Sequence, residues 1–154
     1  LILAESLLGH GNRAYKYWKE ASPATYNDNA EHRCLEPYVY GQFVEGKDSP
    51  FAGRAHVHWL TGTASTVMVG TVEGILGMRP NADGLNINPS ISSEWNGLKI
   101  RKSFRGKKLD ITVDNSAHVE SGVKELFLNG EKLEGCFVPA DKLKDTNEIK
   151  VVLG

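Results

Sequence analysis

Cysteine is almost absent: Cys34 and Cys136 are the only two in 154 residues, far apart and without a Cys-x-x-Cys pair. That leaves no disulfide framework and no thiolate metal cage, and it fits two free thiols in a reducing compartment. An excess of either charge is also missing. Eighteen basic residues face nineteen acidic ones, for a formal net charge of −1. Such a balance supplies no basic field for nucleic acid or an anionic membrane. No apolar run approaches the roughly 20 residues that span a bilayer. Leu1-Ile2-Leu3-Ala4 is followed at once by acidic Glu5 with no basic region before it, so it does not read as a signal peptide. Among the histidines, His56 and His58 are two apart, on one face of any strand there, but no third ligand lies at a fixed offset. No metal site is expected. Repeats of fixed period and low-complexity tracts are lacking as well.

What is present divides into two periodicities, with 40% hydrophobic and 24% charged residues, as in an ordinary globular chain. Residues 1–8 form an apolar stripe that stops at Gly9-His10-Gly11, where glycine suits a helix C-cap. Asn12 can cap a second helix carrying Ala14, Tyr15, Trp18 and Ala21, which Pro23 ends. Residues 24–58 read as irregular, with turn signals from Asn27 to Gly53. A third helix is expected over residues 61–76. It is nearly free of charge apart from Glu73, and so should be buried on most sides. Because an amphipathic helix is already under way at Leu1, the chain is expected to be a fragment of something larger.

Beyond Gly77 the period becomes two. Leu85-Asn86-Ile87-Asn88, Leu98-Lys99-Ile100-Arg101 and Leu109-Asp110-Ile111-Thr112-Val113-Asp114 all alternate. Leu126-Phe127-Leu128 and Lys132-Leu133 flank Asn129-Gly130, a strong hairpin signal, and Glu148-Ile149-Lys150-Val151-Val152 reads as a last strand. Five or so short antiparallel strands with one apolar face each predict a β-sandwich packed on the helical half.

Trp59-Leu60-Thr61-Gly62-Thr63-Ala64 lies where coil meets the third helix. The first N–H groups of a helix have no intrahelical partner and carry the positive end of its dipole. A glycine there, beside a threonine hydroxyl, can hold a phosphate, or it can simply cap the helix.

Several strings follow one another in a specific order: Ala4-Glu5-Ser6-Leu7-Leu8-Gly9-His10-Gly11, Glu36-Pro37-Tyr38-Val39-Tyr40-Gly41-Gln42, and the Trp59 string. Ile75-Leu76-Gly77-Met78-Arg79-Pro80, Asp83-Gly84-Leu85-Asn86-Ile87-Asn88-Pro89, Trp95-Asn96-Gly97 and Phe104-Arg105-Gly106 complete them. The series resembles the C-terminal end of the inverting cellobiose and chitobiose phosphorylases, glycoside hydrolase family 94. The likeness is strong over residues 1–115 and loose beyond.

The resemblance implies an α+β fragment: the last helices of an (α/α)6 barrel over residues 1–77, then a small antiparallel, jelly-roll-like β-sandwich over residues 78–154. It implies phosphorolysis of a β-linked disaccharide, with a glucose-based, cellobiose-like substrate favoured as the commonest case. Inorganic phosphate is the co-substrate and no cofactor is expected. An inverting hydrolase needs a second carboxylate to activate water. A phosphorylase can replace it with donors and positive potential that bind and aim an anion. The family's phosphate contacts map here to the Gln42 amide, the Thr61 hydroxyl and the Gly62 N–H. The general acid, an aspartate, is expected upstream, so no catalytic acid is nominated and the chain alone is expected to be inactive. His56 and His58 are candidates for the sugar side of the site, or are exposed loop histidines. Glu36 is expected to be a buried partner of the loop presenting Gln42, Asp83 a turn residue, and Trp59 a core residue rather than a sugar platform. The implied partners are disaccharide, phosphate, the missing N-terminal part and a second copy in a homodimer, in the cytoplasm. Two alternatives stay open: a stand-alone carbohydrate-binding sandwich, and an inverting hydrolase on the same barrel.

Overall fold

The computed structural model describes all residues 1–154. Two helices lead: α1 (Ile2–Leu7) and α2 (Gly11–Ala21), separated by Gly9 in the left-handed region at φ +80°. Asn12 does not cap α2. The helix starts one residue earlier, and the Asn12 amide is drawn away by distant partners. Its Oδ1 accepts from the Ser93 N–H at 3.0 Å and the Ser92 hydroxyl at 3.1 Å, and its Nδ2 donates to Ser93 Oγ at 3.0 Å. The side chain thus ties the helical half to the strand half.

Residues 24–58 are more ordered than their turn signals imply. A 3-10 segment (Pro23–Asn29) runs into a short helix, α3 (Ala30–Arg33). A hairpin follows, with β1 (Gly41–Val44) antiparallel to β2 (Ala55–His58) in the register Gly41↔His58, Phe43↔His56, Val44↔Ala55. The third helix begins at α4 (Thr63–Val69) and continues with π-helical winding over Gly70–Ile75. Its expected burial on most sides does not hold for α4. Val67 is its one buried residue, while Met68 and Val69 are 62% and 44% exposed. Apolar composition does not by itself supply a covering surface; only the π-helical end packs on α1.

The remaining strands are β3 (Met78–Pro80), β4 (Gly84–Ile87), β5 (Gly97–Phe104), β6 (Lys107–Asp114), β7 (Val123–Leu128), β8 (Glu131–Leu133), β9 (Phe137–Pro139) and β10 (Thr146–Leu153). They make a five-stranded sheet in the order β5-β6-β10-β7-β8 and a three-stranded one in the order β3-β4-β9. The architecture is therefore α+β with antiparallel-rich sheets. One pair departs from the all-antiparallel expectation, because β10 runs parallel to β6, with Ile149 beside Ile111 and Val151 beside Val113. Alternation fixes which face is apolar but is blind to strand direction. The β7–β8 turn is as expected: Asn129 and Gly130 both take positive φ, 51° and 87°, the primed geometry that matches strand twist.

Leu85, Ile87 and Val138 from one sheet meet Ile111, Val113, Leu126, Ile149 and Val151 from the other in a single core, which Ala14 and Ile75 join from the helical side. Of 21 buried hydrophobic residues, 15 lie at or beyond Met78. Since each buried aliphatic side chain contributes about 1.5–3 kcal/mol, most of the stabilisation sits in the strand half.

Candidate functional site

Strand β1 and the start of α4 come together through one hydroxyl. Thr63 Oγ1 donates to the Gly41 carbonyl at 3.3 Å, binding the residue before Gln42 to the first residue of the helix. A second bond follows from proton counting. A hydroxyl has one hydrogen, and that of Thr63 is engaged with Gly41. The 2.7 Å contact between the Thr61 and Thr63 hydroxyls is therefore donated by Thr61. Thr61 Oγ1 in turn accepts from the Thr63 N–H at 3.1 Å, closing a threonine turn at the helix start.

Gly62 is the N-cap residue of α4, with φ −77° and ψ 2°. Its carbonyl is held by three donors: the Thr66 N–H at 3.0 Å, the Thr66 hydroxyl at 2.9 Å and the Ser65 hydroxyl at 2.9 Å. Its N–H has no bond within the chain, and the space where a side chain would stand holds only Ser65 Oγ at 3.9 Å. Gln42 is exposed on β1, and its side-chain amide likewise bonds to nothing in the chain. Two of the three nominated groups thus keep free donors, while the third, Thr61, spends its proton on Thr63. Gln42 and Thr63 share the wall of a cavity of about 600 Å³ with Tyr40 and Arg33; Thr61 and Gly62 lie outside that wall.

The two histidines separate. His56 Nε2 donates to Glu45 Oε1 at 2.6 Å, and its ring stacks on Phe43 at 5.0 Å, so it fastens the hairpin to its own turn. The Ser49 hydroxyl, which donates to the other carboxylate oxygen, and then His56 hold the Glu45 carboxyl below the usual carboxylate range. His58 is exposed opposite Gly41 and close enough for its charge to act on Glu36.

Glu36 Oε1 accepts the Trp59 indole N–H at 3.2 Å, while its Oε2 is sealed from solvent without a partner. Its carboxyl is held below the usual range first by its own backbone N–H, then by the Trp59 indole and the His58 charge. Trp59 is not a core residue. It is 65% exposed, sits edge-on to Tyr38 at 6.3 Å, and has its backbone in the left-handed region at φ 65°. Val57, at φ 54°, is strained too, so two left-handed residues flank His58; each such residue costs about 1–3 kcal/mol. Asp83 lies in the turn between β3 and β4, its N–H donating to Asn81 Oδ1 at 2.9 Å. Thr63, Glu45 and Arg33 escape a motif reading. The Thr61-x-Thr63 spacing was the available signal for Thr63, and nothing local in the sequence marks the other two.

Two segments carrying free hydrogen-bond donors are thus tied to each other by the Thr63 hydroxyl. Comparison with known proteins places both halves of the chain in glycosyl hydrolase families. Residues 1–77 match the glycosyl hydrolase 94 superfamily, catalytic domain, and residues 78–134 match the glycosyl hydrolase family 65, C-terminal domain. The chain is 40% identical to an N,N'-diacetylchitobiose phosphorylase of Vibrio proteolyticus over 99% of its own length and 19% of that protein's. A protein of the same name from Vibrio furnissii is 36% identical over the same shares. Solabiose phosphorylase of Paenibacillus borealis is 28% identical, covering 96% of this chain and 20% of that one. The chain belongs to the glycosyl hydrolase 94 superfamily. It spans about a fifth of the length of these relatives. No helix is long and apolar enough to cross a membrane.

Proposed function

We propose that this chain is part of a disaccharide phosphorylase and supplies donors that hold inorganic phosphate for attack on the anomeric carbon, with inversion. The observation that carries the reading is the pair of free donors, the Gly62 N–H and the Gln42 amide, on two segments bolted together by Thr63 and Gly41. A bound anion would take the Gly62 N–H at the positive end of α4 and the amide from the facing strand. Thr61 would join by turning its hydrogen from Thr63 Oγ1 to a phosphate oxygen, keeping its acceptor bond to the Thr63 N–H. No carboxylate base is required, since phosphate is itself the nucleophile. The acid that protonates the leaving oxygen belongs to a part of the protein outside these residues.

In this reading residues 1–77 are the closing helices of an (α/α)6 barrel, and the exposed apolar residues of α1 and α4 are covered by the rest of the protein. The isolated chain accordingly has no turnover. Similarity to two diacetylchitobiose phosphorylases makes N,N'-diacetylchitobiose, ahead of the cellobiose that family frequency favours, the first substrate to try. The test is Thr61→Val in the intact protein. Loss of one charge-assisted hydrogen bond should raise the phosphate KM about 10–100-fold, with little change in the disaccharide KM or in the thermal midpoint. An unchanged phosphate KM removes Thr61 from the site, and sugar release without phosphate would make the enzyme a hydrolase.

A further inference from the structure

Arg33, the last residue of α3, is 8% exposed, yet it makes no ion pair. Its one hydrogen bond to the protein runs from Nη2 to the Val39 carbonyl at 2.7 Å, and its guanidinium carbon lies 5.9 Å from the Tyr26 ring centre. Four of its five N–H groups therefore have no protein acceptor. It lines the same cavity of about 600 Å³ as Gln42 and Thr63. The one carboxylate on that wall, Glu20, lies instead 3.8 Å from Lys16.

A buried cation without a counter-ion is costly, and a cation–π contact offsets only part of that cost. A carbonyl clamp alone could be made by a neutral amide; the charge needs another use. We infer that Arg33 is a positioning residue for the phosphate site: it clamps the chain at Val39, three residues before Gln42, and lends positive potential to the cavity Gln42 borders. Thr63 holds Gly41, so the chain leading into Gln42 is fixed at two points, Val39 and Gly41. The inference rests on the phosphate reading of Gln42.

The test uses the intact protein with Arg33→Met and Arg33→Lys, and with Thr61→Val alongside. Phosphorolysis is measured with each substrate varied at low and high ionic strength. Arg33→Met should raise the phosphate KM at least about tenfold and leave the disaccharide KM within about twofold, as expected for a lost charged interaction. The difference from wild type should shrink as salt screens the charge. Arg33→Lys, which keeps the charge and loses the planar clamp, should give a smaller rise. Equal changes in both KM values, or a lower thermal midpoint with a wild-type phosphate KM, overturn the inference. If Arg33→Met does not fold, Arg33→Lys decides: a selective rise in phosphate KM supports the role, and wild-type values end it. A raised phosphate KM in Thr61→Val beside normal Arg33 variants sinks this inference alone, whereas a normal Thr61→Val sinks the phosphate reading of Thr61 itself.

Discussion

At Gly11 the helical half meets the strand half backbone to backbone. A methyl group built on it would run into the backbone of Ile91, and backbone cannot step aside as a flexible side chain can. Gly11→Ala should therefore destabilise the protein by about 3 kcal/mol. Gly46→Ala, with nothing near the new methyl, should stay close to wild type. Urea midpoints of the two variants would check this, and equal midpoints would refute the close approach. The residue scale is also where the sequence misleads most. Thr61 and Gly62 could be singled out because their chemistry is local, a hydroxyl and a bare backbone at a helix start, whereas Gln42, on a strand some twenty residues earlier, was reached only through the family resemblance. Asn12 could not be read correctly, because the serines that claim its amide lie about 80 positions away. Trp59 looked like core because of its type, yet within this chain it is exposed, on a backbone in the left-handed region.

Among the elements, the β1–β2 hairpin is the one whose stability should respond to acid. Glu45 in the intervening turn accepts from Ser49 and from His56 on β2, and the Ser49 hydroxyl is the larger cause of its lowered pKa. A lowered carboxylate pKa gives stabilisation that is complete above the unfolded value and is lost as pH falls through the folded one. The stability difference between wild type and Glu45→Gln should thus be largest near neutrality and fade below the ordinary carboxylate range. Amide exchange of residues 41–44 and 55–58 would measure it, and a difference that grows in acid would contradict the sign. The hairpin was illegible because β1 exposes three of its four residues, so burial never wrote an alternation into it. By contrast β5, β6 and β10 alternate over eight residues each and were readable as strands. Their partners were not, since a parallel neighbour and an antiparallel one demand the same pattern.

At the scale of the molecule, apolar side chains are distributed unevenly. All thirteen large hydrophobic residues left exposed lie between Leu1 and Val69, whereas the strand half hides its own. Contiguous exposed apolar surface marks a face meant to be covered. The isolated chain should bind a hydrophobic dye that the intact protein does not, and mild protease should cut within residues 1–69 while residues 78–154 persist. Uniform cleavage along the chain, or no dye binding, would contradict that division. The overall plan, helices first and sheets second, was legible from the change of period at Gly77. The exposure was not, because composition says that a surface is apolar and is silent about what covers it.

Strand β10 occupies the middle of its sheet, between β6 and β7. Order of synthesis therefore works against the sheet: the hairpins on either side leave the ribosome with raw inner edges and wait for residues 146–153 to join them. A message ending a dozen codons before Leu153 would release two disconnected ribbons in place of one layer. Cellular quality control would meet that product as an aggregation-prone chain, even though it retained Thr61, Gly62 and Gln42 unchanged.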